Sequence, residues 1–359
     1  MTVTVDLLIS ELAFGDAVSN HTLLLREILR GKGIRTNVIV ENAQNRSDVI
    51  VLDDWSADCD VVILQHHIGS DLSDYIIQHQ IPIVLNYHNI TPASFFSSWQ
   101  PDVAAHLRLG YQQLSELTPL TLRAITDSHF NARELTELGI EDVAVSPVLW
   151  TLDDSLLDEV PREAEQSAIA EDGGTILFVG RIAPNKCHHD LIMAFGVLSR
   201  TRPKSRLVLI GDPSSDHYSN SLKYLARRLG VYDRVFFAGK VSTQDLLRCY
   251  QMADVFVSAS EHEGFGVPIV EAMASGLPVI AYNAAAVAET VDGVGIVLDD
   301  KRPVTLAQAI DRVLRDDRIR QDLCARGKEA AKRYDISVTG RQMWDALRDL
   351  LDASPSEVR

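Results

Sequence analysis

Acidic side chains surround a glycine-rich turn in the second half of the chain. The segment Ser258–Val279 reads SASEHEGFGVPIVEAMASGLPV, and it places Glu263 and Glu271 eight positions apart with Gly264, Phe265 and Gly266 directly after the first. A carboxylate accepts several hydrogen bonds at once, so both side chains are suited to binding hydroxyl groups. The alternative interpretation is that these acids cap a helix and face solvent.

The glycine turn is expected to lead into a helix over residues 267–275. Pro268 suits the first turn of a helix, where its missing N–H costs nothing, and Gly276 suits the position just after the last turn. Backbone amides at the start of a helix bind anions and hydroxyl groups. We therefore expect Glu271 to lie in the first turn and to bind a vicinal diol such as that of a ribose. Glu263 is expected to accept hydroxyl groups from a molecule lying over the turn.

A second segment, TILFVGRIAPNKCHHDLIMAF, carries basic side chains after a predicted strand. Arg181 follows the strand at once, and Lys186 comes five residues later at the start of a predicted helix. A planar guanidinium and a compact ammonium together suit a diphosphate. The segment has neither the dinucleotide-binding glycine pattern nor a Walker loop. A basic turn that only faces solvent is the alternative.

The elements that must position these residues alternate along the whole chain. Short β-branched segments are separated by amphipathic ones, which predicts α/β domains with parallel sheets and helices on both faces. The polar segment Asp153–Gly174 interrupts the alternation and is interpreted as a linker. We therefore predict Rossmann-like domains over residues 1–160 and 172–335, and a C-terminal helix within 336–359 that packs back on the first domain. Parallel sheets bind ligands at the carboxyl ends of their strands, so a cleft between the domains is the expected site.

The charge of the chain excludes some classes of partner. The 359 residues carry a formal net charge of -16, and residues 1–170 alone contain 25 acidic and 9 basic residues. Such an acidic surface repels nucleic acid and anionic lipid. Arg26 and Arg30 form a small basic patch on one predicted helix, so membrane contact is expected to be weak at most.

The predicted location is the cytoplasm. The apolar segments are of strand length rather than membrane-spanning length, and the first residues lack the features of a signal peptide. The four cysteines are scattered without the spacing of a metal or redox site, as is typical of a reducing compartment.

Two of these motifs together resemble a known family. FVGRIAPNK, followed about eighty residues later by EHEGFGVPIVEAMASGLPVIA, is similar to the retaining nucleotide-sugar glycosyltransferases of family four. The resemblance covers the second domain. It implies the glycosyltransferase B (GT-B) fold, which has two Rossmann-like domains with a cleft between them and a helical C-terminal tail.

The resemblance also implies a donor site in the second domain. Arg181 and Lys186 would hold the donor diphosphate, Glu271 the ribose, and Glu263 the transferred sugar. Further donor contacts are expected from the turn and from the segment FFAGKVS near the base, namely Gly264, Phe265, Gly266, Val267, Lys240 and Val241. Cys187 stands where the family commonly has glycine, which leaves the backbone geometry there open.

Candidates in the first domain are less distinctive. His88, in VLNYHNITP, matches a histidine that such enzymes place near the donor sugar, and a core or capping histidine is the alternative. Gly15 is what remains of a glycine-rich loop that approaches the diphosphate and the acceptor. The candidates for acceptor binding are Asp16, Asn20, His66 and His67. The last two are either structural or acceptor-facing.

The resemblance implies a retaining hexosyltransferase that uses a UDP- or GDP-sugar and needs neither metal nor cofactor. The acceptor would be a hydroxyl group of a sugar, a lipid-linked or a small molecule, in polysaccharide, glycolipid or glycoconjugate assembly. The alternatives are a natural-product glycosyltransferase of the aminocyclitol type and a nucleotide-sugar-binding protein without catalysis. A dinucleotide oxidoreductase is disfavoured because LISELAFGDAVSN matches its glycine pattern poorly.

Overall fold

The computed structural model describes residues 3–13, 15–43, 46–151 and 172–352. The chain forms two compact units: unit 1 comprises Met1–Ser97, Pro101–Thr151 and Arg333–Arg359, and unit 2 comprises Ser98–Gln100 and Leu152–Lys332. The predicted linker Asp153–Gly174 lies outside the described residues up to position 171. None of the helices in the described ranges is long and apolar enough to cross a membrane.

Unit 1 contains a seven-stranded parallel sheet in the order β3-β2-β1-β4-β5-β6-β7. Its strands are β1 (Thr4–Leu8), β2 (Arg35–Val40), β3 (Ile50–Val51), β4 (Val61–His66), β5 (Ile83–Tyr87), β6 (Thr121–Thr126) and β7 (Val143–Val145). Every residue of β4 and β5 is buried, as expected for central strands covered on both faces. The chain order reverses between β1 and β4, so the loops after these two strands meet at a topological switch point.

Helices cover this sheet. They are α1 (Ala17–Gly31), α2 (Asp71–His79), α3 (Pro101–Leu117) and α4 (His129–Glu137). Of these, α1, α2 and α4 begin at a side-chain cap. At the start of α1, the Asp16 carboxylate accepts a hydrogen bond from the Ser19 N–H at 2.9 Å, which satisfies an amide that has no partner within the helix. Further along α1, Leu25 and Leu29 are fully buried.

The C-terminal helix of unit 1 packs into the core of that unit. Its buried Met343, Leu347 and Leu351 belong to the same hydrophobic cluster as Val5 of β1. Arg123 on β6 fastens it further, since one guanidinium nitrogen donates to the Ala346 carbonyl at 2.9 Å and to Asp349 at 2.6 Å.

Unit 2 contains a six-stranded parallel sheet in the order β10-β9-β8-β11-β12-β13. Its strands are β8 (Thr175–Val179), β9 (Arg206–Ile210), β10 (Val235–Gly239), β11 (Val255–Ser258), β12 (Val279–Tyr282) and β13 (Ile296–Leu298). Its helices are α5 (His188–Leu198), α6 (Asp216–Arg228), α7 (Thr243–Met252), α8 (Val267–Ala274), α9 (Val287–Val291), α10 (Pro303–Arg315) and α11 (Asp317–Ala331), and the C-terminal helix of unit 1 is α12 (Ile336–Asp352). The chain order reverses between β8 and β11, which is the switch point of this sheet.

Candidate active site

The predicted donor residues follow the two strands that flank the switch point of unit 2. Arg181 and Lys186 come after β8, and Glu263 comes after β11, which pairs with β8 in parallel. The carboxyl ends of neighbouring parallel strands lie at the same edge of a sheet, about 5 Å apart. Side chains more than seventy positions apart in the sequence are therefore brought together here.

The loop after β8 holds Arg181 by backbone contacts on both sides. The Gly180 N–H donates to the Ile210 carbonyl and the Ile182 N–H donates to the Asp212 carbonyl, each at 2.9 Å. A Cβ atom at Gly211 would lie 2.2 Å from the Gly180 carbonyl oxygen, so the close approach of the two loops requires glycine there. Arg181, between the two bonded residues, is exposed. The sheet thus presents a guanidinium to solvent from a fixed backbone.

Lys186 ends a short 3₁₀ turn, Pro184–Lys186, and does not lie in the helix that was predicted to begin there. Helix α5 begins at His188, and Cys187 between them has a left-handed backbone with φ of 52°. This conformation explains why glycine is suited to the position, since other L residues adopt it at a cost of about 1–2 kcal/mol. The turn is also tied to the loop after β11, because the Asn185 carbonyl accepts the Glu261 N–H at 2.9 Å.

Lys186 and Glu263 form an ion pair at the switch point. The Lys186 Nζ lies 2.6 Å from the Glu263 carboxylate, and their side chains are 20% and 15% exposed. Burial and the nearby Lys186 lower the pKa of His262 to about 4, so that ring is neutral at physiological pH. His262 therefore adds no charge to those of Arg181, Lys186 and Glu263. The two cations can bind an anion, and the adjacent Glu263 carboxylate can accept a hydrogen bond from a hydroxyl group.

The glycine turn is held from behind by the segment around α9. The Thr290 hydroxyl donates to the Phe265 carbonyl at 2.6 Å, and the Ala286 N–H donates to the Glu263 carbonyl at 3.1 Å. Gly266 caps α8 with φ of 96°, and the Phe265 ring is buried. A Cβ at Gly266 would meet the Ile269 side chain at 3.1 Å in a conformation that non-glycine residues rarely adopt. These contacts fix the backbone of the turn that leads into α8.

Glu271 does not lie in the first turn of α8, contrary to the prediction. The helix starts at Val267 and has no acidic residue in its first turn. The carboxylate instead accepts a hydrogen bond from the Tyr250 hydroxyl at 2.7 Å, and burial raises its pKa. Tyr250 was missed by sequence reasoning, because it lies on α7, 21 positions away, and is a buried aromatic like any core residue. A fixed orientation of Glu271 follows from this contact.

Lys240 and Val241 follow β10, the edge strand of the same sheet. Lys240 is exposed and Val241 is partly buried. Three strand spacings separate β10 from β11, which amounts to about 14 Å at ~4.8 Å each. The predicted base-binding residues thus lie on the same edge as Arg181 and Glu263 but well apart from them.

A second group of ion pairs lies near the turn that carries Lys186. The Lys301 ammonium is 2.7 Å from Asp190 and 2.5 Å from Glu261. Although burial opposes it, these contacts raise the pKa of Lys301. Ligand atoms of Cys187, His189 and Asp190 also lie within 4.8 Å of one another in the described part of the chain. Because the Lys301 ammonium already pairs with Asp190, this group is poorly suited to a metal cation.

In unit 1, His88 follows β5 and is buried with both ring nitrogens engaged. Its Nδ1 lies 3.0 Å from the Asp127 carboxylate, and its Nε2 lies 2.7 Å from the side-chain amide of Gln65. The edge of the His88 ring also meets the ring of His21 at a centroid distance of 4.9 Å. Gln65, Asp127 and His21 were not among the predicted site residues. The contact of His88 with a donor sugar remains a prediction.

His66 is the last residue of β4, His67 follows it, and the two differ in burial. His66 is buried; its Nε2 donates to the Gly110 carbonyl at 3.0 Å, and its Nδ1 lies 3.3 Å from the Ser73 hydroxyl. Burial lowers the pKa of His66 to about 4, so the ring is neutral. These contacts join β4 to α3 and α2, in agreement with the structural alternative for this residue. His67 is partly buried.

The loop after β1 presents small and polar groups. Gly15 is exposed with φ of 75°, Asp16 is exposed and caps α1, and Asn20 is exposed on the first turn of that helix. Because β1 and β4 flank the switch point of unit 1, these residues and His67 follow strands at the same edge of the sheet. The structure thus gives Asp16 a capping role, and acceptor binding by these residues remains a prediction.

The basic patch on α1 is largely paired. Arg26 contacts Asp48 at 3.1 Å and Glu27 at 3.2 Å, and Arg30 lies 3.7 Å from Glu27. Lys32 lies 5.1 Å from the centre of the Trp344 ring on α12. These partners reduce the charge that the helix presents to an anionic surface.

Comparisons with known proteins agree with the architecture and with the motifs. The family model described as "Glycosyl transferases group 1" matches residues 159–333. A D-inositol 3-phosphate glycosyltransferase from Kineococcus radiotolerans is 30% identical over 291 residues, which are 75% of this chain and 66% of that protein. A mannosylfructose-phosphate synthase from Agrobacterium fabrum is 36% identical over 129 residues, 34% of this chain and 28% of the synthase. Among solved structures, Anabaena HepE in complex with UDP and glucose superposes with a TM-score of 0.71 at 18% identity, covering 97% of this chain and 100% of HepE.

The chain has the GT-B fold, and its residues 159–333 match the group 1 family of glycosyl transferases. The predicted α/β fold class and the family resemblance are thereby confirmed. The chain spans at most about two thirds of the length of these two curated relatives.

Proposed function

We propose that this protein is a retaining glycosyltransferase that moves a hexosyl group from a nucleoside-diphosphate sugar to a hydroxyl acceptor. The observation that carries the proposal is the convergence of Arg181, Lys186 and Glu263 at the switch point of unit 2. Two cationic groups next to a carboxylate and a glycine turn provide partners for a diphosphate and for sugar hydroxyl groups in adjacent positions.

The donor would lie along the carboxyl edge of the second sheet. Its diphosphate would bind Arg181 and Lys186, its sugar Glu263, and its ribose the carboxylate that Tyr250 orients, Glu271. The base would lie toward Lys240 and Val241, at the outer strand. HepE was crystallised with UDP and glucose, which supports UDP rather than GDP as the nucleotide of the donor.

The chemistry would depend on positioning and on charge. The leaving diphosphate gains negative charge as the glycosidic bond breaks, and preorganised cations at that point are worth several kcal/mol. Glu263 pairs with Lys186 at 2.6 Å, which fits a hydroxyl-binding role better than that of a nucleophile. We therefore favour attack by the acceptor from the same face as the leaving group, with a diphosphate oxygen receiving the acceptor proton.

Metal independence is part of the proposal. Arg181 and Lys186 supply the positive charge that a divalent cation supplies elsewhere, and Lys301 already pairs with Asp190 in the one metal-like cluster of the described residues.

The acceptor would be bound by unit 1. Residues 1–151, which make up most of unit 1, carry 19 acidic and 8 basic residues, and this field disfavours anionic acceptors and favours amino groups. Polysaccharide, glycolipid or glycoconjugate assembly is the first candidate process. The charge specifically favours the second candidate, glycosylation of an aminocyclitol.

Nucleotide binding tests the proposal without knowledge of the acceptor. Titration calorimetry with UDP, GDP, ADP and NAD in EDTA is expected to show binding of a nucleoside diphosphate, with UDP tightest. Hydrolysis of UDP-glucose, measured as the release of UDP, then tests the reaction. Tight binding of NAD without binding of a nucleoside diphosphate would contradict the proposal, and binding without any turnover across a panel of nucleotide sugars would support the non-catalytic alternative.

A further inference from the structure

A chain of buried polar side chains connects His88, which follows β5, to the backbone of Leu149, which follows β7. The Leu149 N–H donates to Nδ1 of His21 at 3.0 Å. The other nitrogen of His21 lies 2.8 Å from the side-chain amide of Asn86, which lies 3.0 Å from that of Gln65. Gln65 in turn contacts Nε2 of His88 at 2.7 Å. The four side chains in this chain are each at most 8% exposed.

The backbone amide of Leu149 fixes the direction of the first link. A peptide N–H is only a donor, so Nδ1 of His21 must carry its lone pair. Burial, together with the nearby His88, lowers the pKa of His21 well below its usual value, so this ring is neutral. A neutral ring with a lone pair on Nδ1 carries its proton on Nε2.

The remaining links follow from this first one. The Nε2–H of His21 requires an acceptor. The structure sets Nδ2 of Asn86 at this contact and Oε1 of Gln65 at the next one, so both side-chain amides must be turned by 180°. The carbonyl oxygen of Asn86 then accepts from His21 and from the NH₂ group of Gln65. The orientation with Asn86 Nδ2 toward His21 gives that ring two incoming donors and leaves no place for its own proton. Side-chain amide orientation is set by such networks, because oxygen and nitrogen occupy equivalent positions.

The last link determines the state of His88. With its amide turned, Gln65 donates from its NH₂ group to Nε2 of His88, at the contact where the structure sets Oε1. The proton of this ring then lies on Nδ1 and is donated to Asp127 at 3.0 Å. A doubly protonated His88 would place an N–H against the Gln65 N–H. We propose that His21, Asn86 and Gln65 are positioning residues that hold His88 as the neutral Nδ1–H tautomer beside the Asp127 carboxylate.

This inference rests on the proposed function for its meaning but not for its test. In the proposed reaction, a neutral His88 with both nitrogens occupied neither carries a proton to the substrate nor adds positive charge at the donor sugar. Stabilisation of the leaving diphosphate then falls to Arg181 and Lys186 of unit 2.

Nitrogen-15 NMR of histidine side chains in the full chain, near neutral pH, reads the tautomer directly and needs no substrate. His88 is expected to show a protonated Nδ1 and an unprotonated Nε2, and His21 the opposite pattern. The variants His88→Asn and His21→Gln identify which resonances belong to each ring. An imidazolium spectrum for His88, or a protonated Nδ1 on His21, would overturn the proposal.

The variant Gln65→Glu tests whether this chain of hydrogen bonds sets the protonation state of His88. A carboxylate at this position accepts where the amide donates, so Nε2 of His88 is expected to become protonated and the ring to become an imidazolium. The control Gln112→Glu places the same charge at an exposed glutamine of α3 and is expected to leave both histidine spectra unchanged. If the His88 spectrum of folded Gln65→Glu equals that of the wild type, the proposal that Gln65 sets the tautomer of His88 is wrong. If the variant does not fold, the wild-type spectrum alone decides.

Discussion

Both sheets carry polar side chains at the carboxyl ends of their central strands, and these side chains differ in burial between the two units. At the switch point of unit 2, Arg181 is exposed and Lys186 and Glu263 are both partly accessible. After the central strands of unit 1, His66 and His88 are buried and have both ring nitrogens bonded within the unit. Charged groups that remain accessible can bind a ligand, whereas buried groups that are mutually satisfied shape the surface around one. This difference supports our proposal that unit 2 binds the donor.

The largest expected effect is the loss of the ammonium at the unit 2 switch point. Lys186→Ala removes one preorganised cation and leaves Glu263 without its partner at 2.6 Å. We expect the rate of UDP release from UDP-glucose to fall about 10²–10³-fold, as for the loss of one transition-state donor. The control Lys204→Ala removes a 71% exposed lysine and is expected to retain the wild-type rate. An unchanged rate in Lys186→Ala would remove the catalytic role of this residue.

A core substitution in unit 1 is expected to separate stability from donor binding. Met343 on α12 is fully buried against the sheet, so Met343→Ala should lower the free energy of unfolding by about 2–5 kcal/mol. Urea denaturation measures this, with Met252→Ala, at a 77% exposed position, as the control. UDP affinity of the folded variant should remain unchanged, and a large loss of affinity would show that the donor site depends on unit 1.

A smaller effect is expected where charge is kept and geometry is lost. Arg181→Lys retains the positive charge but removes the planar fork that binds two phosphate oxygens. Charge-assisted hydrogen bonds are worth about 1.5–3 kcal/mol, so UDP affinity should fall roughly 10–100-fold. Calorimetry of Arg181→Lys against Arg228→Lys, an exposed arginine at the end of α6, measures the difference. Equal affinity of the two variants would mean that Arg181 acts only through its charge.

The smallest effect concerns the cost of holding Glu271 ready for a ligand. Burial raises the folded-state pKa of Glu271 above 4.5, so the ionised carboxylate destabilises the folded protein. Glu271→Gln keeps the acceptor for Tyr250 and should raise Tm slightly at neutral pH while weakening UDP binding. The gain should be full above the raised pKa and disappear as the pH falls to 4.5 and below, where the wild-type carboxyl is protonated in both states. A Tm that is lower than that of the wild type at neutral pH would contradict this account.

Much of unit 2 was predictable because its motifs combine special backbone positions with charged side chains. The turn at Gly264–Gly266 and the basic residues after β8 identified the site, since glycine, proline and periodicity report local conformation directly. Contacts between distant segments were not predictable in the same way. Tyr250 resembles any core aromatic residue in the sequence, and its bond to Glu271 depends on how α7 packs beside α8.

Unit 1 was harder to predict because its polar residues act through one another. His88 was identified by the sequence motif around it, but Gln65, Asn86 and His21 appear in the sequence as isolated polar residues within or beside apolar segments. Only the parallel pairing of β4 with β5, which sets Gln65 opposite Asn86, brings them into one chain of hydrogen bonds. Glu271 was wrongly expected in the first turn although the predicted start of the helix at residue 267 is correct, because Glu271 is its fifth residue and one turn holds 3.6 residues.

A crystal structure with UDP bound tests the central claim most directly. We expect the diphosphate to contact the Arg181 guanidinium and the Lys186 ammonium, and the ribose hydroxyl groups to contact the Glu271 carboxylate, with crystals grown in EDTA giving the same result. A diphosphate bound elsewhere on the molecule, or bound only through a divalent cation without contact to Arg181 and Lys186, would contradict the account.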